Sequence, residues 1–77
     1  MVILNQDKTA IIKWENVHKM YIGGDKCSIK VDFTTGDGAH LGWYGDEIND
    51  ILSDFFTKLA DGATGYIFPP ANSRRRR

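Results

Sequence analysis

The sequence predicts an α+β fold: a small antiparallel sheet, a meander of about five strands, with one amphipathic helix packed on one face and a short C-terminal strand. Three observations predict it. Short apolar and β-branched runs separated by turn residues fill the first half of the chain; apolar side chains at helical spacing follow Gly45-Asp46; and a last apolar triplet, Tyr66 to Phe68, stops at Pro69-Pro70. Laying the helix over the apolar face of the sheet is the simplest way to bury both stripes.

The elements follow in order. Met1 to Asn5 is short and apolar, Gln6-Asp7-Lys8 is a turn, and Thr9 to Trp14 is a second β-branched run that Glu15-Asn16 breaks. Val17 to Ile22 and Lys26 to Thr35 flank Gly23-Gly24-Asp25, where glycine is expected to supply the positive φ of a tight hairpin. Strand side chains alternate faces, so parity sets a register. Pairing Ile22 with Cys27 sets Met20 against Ile29 on the apolar face, and Tyr21 against Ser28 and Lys19 against Lys30 on the other. A three-residue loop, Gly36-Asp37-Gly38, then sets Phe33 against Leu41 and Val31 against Trp43. After Gly45, Asp46 is the expected N-cap, and Ile48, Ile51, Leu52, Phe55, Phe56 and Leu59 form one apolar stripe ending at Asp61-Gly62. Pro69 and Pro70 cannot donate ladder hydrogen bonds, so the last strand ends before them.

With 77 residues there is room for one domain, expected over residues 1–70. A chain of this size buries only about 60% of its unfolded surface, so the core is thin and self-association would help it. All four arginines are the last four residues. The whole chain has 10 basic and 10 acidic side chains, and setting the arginines aside leaves six against ten, a formal −4 for the body. Residues 71–77 therefore read as a disordered basic tail, with Arg74, Arg75, Arg76 and Arg77 as candidate anion-binding groups. The single cysteine excludes an internal disulfide, and two histidines without a Cys/His cluster argue against structural zinc. No cofactor is expected. The opening apolar run is too short for a signal-peptide core and far below the ~20 apolar residues of a membrane span, which predicts a cytoplasmic protein.

Ile3-Leu4-Asn5-Gln6-Asp7, Asn16-Val17, Leu41-Gly42-Trp43-Tyr44 and Tyr66-Ile67-Phe68-Pro69 together resemble a class of small, uncharacterised proteins of Gram-positive bacteria and their phages. The resemblance covers most of the chain apart from the arginine tail. It implies a phage or prophage setting and no particular chemistry.

Parity places Lys19, Tyr21, Ser28, Lys30, Asp32, Thr34, His40 and Tyr44 on the outer face of the sheet. Lysines beside aromatic rings can hold a phosphate and stack a base, so Lys19, Tyr21, Ser28, Lys30, His40 and Tyr44 are candidate ligand-binding residues for a nucleotide or single-stranded nucleic acid. Trp43 is expected in the core, and Trp14 at its edge. Cys27, alternating with Ile29 and Val31, reads as a small buried hydrophobe and not as a nucleophile. No base stands paired with a nucleophile, so the expectation is a non-enzyme. The leading expectation is a binding module, a homo-oligomer pairing through its first and last strands, that neutralises a host component such as a defence protein or a nucleotide signal. The alternative is a nucleic-acid or nucleotide-phosphate binder using the arginine tail and the Lys19/Lys30/Tyr44 face.

Overall fold

The computed structural model describes residues 1–71, so the expected Arg74 to Arg77 anion-binding tail lies outside the described residues. The fold is α+β, with one helix packed against antiparallel strands. In chain order the elements are β1 (Val2–Leu4), β2 (Ile11–Lys13), a 3-10 turn (Trp14–Asn16), β3 (Val17–Ile22), β4 (Ser28–Phe33), β5 (Gly38–Trp43), α1 (Ile48–Ala60) and β6 (Gly65–Ile67).

The strands divide into two three-stranded sheets, ordered β2-β1-β6 and β3-β4-β5, where a single meander was expected. Glu15-Asn16 does more than interrupt a run. It builds the 3-10 turn, and the chain leaves β2 for a separate sheet; Thr34 N–H then donates to the Asn16 carbonyl at 2.9 Å and ties the turn to the end of β4. The first strand is central and not an edge, because β6 returns alongside it in parallel, pairing Val2 with Gly65 and Leu4 with Ile67. Parallel pairing requires a long crossover, which the intervening chain with α1 provides. The free edges of this sheet are β2 and β6.

Both sheets feed one core. Ile3 and Ile12 from the first, Ile29, Val31 and Leu41 from the second, Ile48 and Phe55 from α1, and Tyr44 and Phe68 from the connecting segments form a single buried cluster. Phe55 is its aromatic hub, with ring centroids 5.2 Å from Trp14, 5.1 Å from Tyr66 and 5.7 Å from Phe68. The apolar stripe of α1 holds except at Phe56, which is 68% exposed. The residue before the helix is Glu47 and not Asp46, and its carboxylate accepts from the Gly45 N–H at 3.0 Å. At the other end Gly62 takes φ +83° while Ala63 N–H donates to the Lys58 carbonyl, the paired closure that glycine at this position favours.

Candidate functional site

The outer face of the β3-β4-β5 sheet carries the groups with binding chemistry, and two local features decide which of them meet. The first is the β3-β4 turn. Asp25 Oδ1 accepts from Cys27 N–H (2.9 Å), Ser28 N–H (3.1 Å) and Ser28 Oγ (2.8 Å), and the positive φ falls on Lys26 (64°) instead of on a glycine. These carboxylate bonds draw Cys27 into the turn. Ile22 consequently pairs with Ile29, Tyr21 with Lys30 and Lys19 with Asp32, a slip of two residues from the expected register. A slip of two preserves parity, so the faces survive while the partners change. Gly23 is required for a different reason from turn geometry: a Cβ there would lie 2.7 Å from Ser28 Oγ and 3.3 Å from Lys30 Cε.

The second feature is a bulge in β5. Lys30 pairs with His40 and Val31 with Ala39, but Ile29 pairs with Gly42, leaving Leu41 as an extra residue. Every side chain after Leu41 is thereby inverted relative to the expected alternation. Trp43 points outward and is 54% exposed, whereas Tyr44 is 3% exposed and belongs to the core. The ring of Tyr44 occupies the space above Gly42, where a Cβ would lie 2.7 Å from Tyr44 Cε2, and its hydroxyl donates to the Pro69 carbonyl at 2.7 Å. Tyr44 is therefore removed from the expected site. Ser28 is removed too, being fully buried with its hydroxyl committed to Asp25.

Of the six expected ligand residues, Tyr21, Lys30 and His40 do come together. They line a shallow hollow of about 260 Å³ floored by Val31, Gly38 and Ala39. Lys19 stands at its margin, its ammonium 5.1 Å from the Tyr21 ring centroid and 3.9 Å from Asp32 Oδ2. Tyr21 Oη donates to Asp32 Oδ1 at 3.2 Å. Partial desolvation, reinforced by that carboxylate, holds the Tyr21 phenol above its ordinary pKa. Lys30, half-buried with its stem over Gly23, makes no ion pair among the described residues. His40 Nε2 is shielded from solvent and has no hydrogen-bond partner among the described residues, a situation that costs about 1–3 kcal/mol in a folded protein. The His40 and Trp43 rings lie 5.4 Å apart.

Trp43 is the residue that parity concealed, and Gln6 is the one that holds its backbone. The Gln6 side-chain amide donates to the Trp43 carbonyl and accepts from the Trp43 N–H, each at 2.9 Å, while Gln6 N–H donates to the Leu41 carbonyl at 2.7 Å. A turn glutamine thus caps the edge of β5 that faces away from β4. On the acidic side of α1, Asp54 accepts from Lys58 Nζ at 2.9 Å and from Tyr66 Oη at 2.8 Å. Among the described residues no three His, Cys, Asp or Glu side chains gather as metal ligands, and no helix is long and apolar enough to cross a membrane.

Burial, with the Glu47 carboxylate nearby, pushes the Tyr44 phenol from 10.0 up to about 12. Its contribution to stability is complete below the unfolded pKa of about 10 and is lost as pH rises through about 12, because the unfolded chain ionises first. Urea midpoints are accordingly expected to fall between pH 9.5 and 11.5, and to fall less in Tyr44→Phe than in the parent. Tyr66, raised by burial and by its bond to Asp54, accounts for part of the remainder. Equal falls in parent and variant would show that Tyr44 is not the buried phenol.

Compared with family models, curated proteins and solved structures, the chain matches none.

Proposed function

We propose that this chain is a non-enzymatic binding module that works as a homo-oligomer, with the outer face of the β2-β1-β6 sheet as its contact surface. The observation that carries this reading is an apolar row running across all three strands. Ile11 and Ile67 flank Leu4 directly, and Ile11, Ile67 and Val2 remain 73%, 59% and 45% exposed around a groove of about 550 Å³. Contiguous apolar surface of this kind on a small domain marks an interaction site.

The occupant proposed is a second copy. The same face carries projecting isoleucines and, at Gly65, an opening where a Cβ would meet only the Val2 carbonyl at 3.6 Å. Knob and hole on one surface suit an isologous two-fold contact, in which each copy fills the other. The adjoining β2 and β6 edges bring unpaired backbone groups to the same place. The likeness of Ile3-Leu4-Asn5-Gln6-Asp7 and the other short motifs to small proteins of Gram-positive bacteria and their phages supports a phage or prophage setting. There the oligomer acts in the cytoplasm by binding and neutralising a host component, a defence protein or a nucleotide signal.

Light scattering with analytical ultracentrifugation tests the contact. The parent is expected to be oligomeric at tens of micromolar, and Ile11→Lys or Ile67→Lys to yield folded monomers with the parent's circular dichroism, melting below it by the amount that association contributes. A parent that stays monomeric, or lysine variants that remain fully associated, would overturn the reading.

A further inference from the structure

We propose that the outer face of the β3-β4-β5 sheet binds a nucleoside monophosphate, with the phosphate over Lys30 in the hollow between Tyr21 and His40 and the base against the exposed ring of Trp43. This site lies on the other sheet from the apolar row and is independent of it.

Four observations converge. Lys30 sits at the middle of the sheet with Tyr21 and His40 as its direct cross-strand partners, so one ammonium is flanked by two polar rings. It makes no ion pair among the described residues: Asp32 on the same face is engaged by Tyr21 Oη and Lys19 Nζ, and the nearby Asp25 carboxylate, on which the Lys30 charge acts at longer range, is taken up by Cys27 and Ser28. His40 lines the hollow, and its Nε2, shielded from solvent, meets no hydrogen-bond partner among the described residues. Trp43 pairs with Ser28 two residues along β4 from Lys30, which makes it the diagonal neighbour of that lysine on one face. An exposed indole beside an unneutralised ammonium is the pairing that recognises a planar base and its phosphate together.

The dimensions select the ligand class. About 260 Å³ of shallow space accommodates a phosphate group while leaving the base outside, on the indole. A duplex presents its phosphates over a long surface and would meet the −4 charge of the body, whereas a single nucleotide needs only the local patch. The stem of Lys30 passes over Gly23, its Cε 3.3 Å from where a Cβ would lie.

The test is isothermal titration calorimetry of the full chain at low salt with AMP, adenosine and inorganic phosphate as probes. AMP is expected to bind more tightly than either fragment. Lys30→Gln is expected to weaken AMP at least tenfold and Lys30→Arg to retain it. Trp43→Ala is expected to weaken AMP by roughly 5- to 150-fold, the loss of one stacked base, while leaving inorganic phosphate unchanged. Lys26→Gln, on the exposed turn, serves as the charge control and is expected to change little. No AMP binding at millimolar concentration, unaltered affinity in Lys30→Gln or in Trp43→Ala, or an equal loss in Lys26→Gln would each overturn the proposal. Repeating the AMP titration on Ile11→Lys separates this site from the oligomer contact, since the expected affinity is that of the parent whichever way association behaves.

Discussion

Replacing Phe55 by Ala is expected to cost about 3–5 kcal/mol, the largest loss available from a single position on α1. Phe55 is 3% exposed and touches three other rings, so removing it opens a space bounded by Trp14, Tyr66 and Phe68 that a small domain has little means of closing. Edge-to-face partners at 5.2 and 5.1 Å add to the loss beyond the buried area. The neighbouring substitution Phe56→Ala is expected to stay within about 0.5 kcal/mol, because that ring is 68% exposed. Denaturant melts of the two variants check the helical phase directly, and comparable losses would place the wrong face of α1 against the sheets.

Tyr44→Ser is expected to cost about 3–5 kcal/mol, and Trp43→Ser less than about 1 kcal/mol. Tyr44 fills the space above Gly42 and donates to the Pro69 carbonyl at 2.7 Å, so serine leaves a cavity and leaves that carbonyl only the longer bond from Gln6 Nε2 at 3.4 Å. Trp43 gives up mainly exposed surface. Strict alternation along β5 demands the opposite order, with Trp43 inside and Tyr44 tolerant of serine. Chemical denaturation of both variants distinguishes the bulged strand from the regular one, and a Trp43→Ser loss as large as that of Tyr44→Ser would argue against the bulge.

The proposed nucleotide contact depends on the same bulge. Without it strict alternation would bury Trp43 and turn Tyr44 outward; with it the indole is the exposed ring, while the pairing of His40 with Lys30 is set on the loop side of the bulge, where Asp32 pairs with Gly38 and Val31 with Ala39. The expected outer-face lysine, tyrosine and histidine were legible because parity is robust to an even slip. The like-charge pairing of Lys19 with Lys30 was not real, since the Asp25 turn shifts the register by two and gives Lys19 an acidic partner, Asp32. No period-two pattern signals that shift. It rests on one carboxylate accepting three hydrogen bonds, which turn composition suggests but does not count.

By itself the sequence determined the α+β class, the helix and its glycine stop, the hairpin positions, and the outward placing of Tyr21, Lys30 and His40, because these follow from local spacing and backbone preference. The tertiary structure decided the division into two sheets, the parallel return of β6 beside β1, the apolar row of Ile11, Leu4 and Ile67, and the exchange of Trp43 for Tyr44. Each of these depends on contacts between residues far apart in the chain. Gln6 makes the point on its own: it reads as a polar turn residue, yet its amide bonds both backbone groups of Trp43, 37 positions away. Spacing along a chain reports which side chains share a face, whereas the partner of that face, and the strand that will bend to meet it, are fixed only when the distant segments pack.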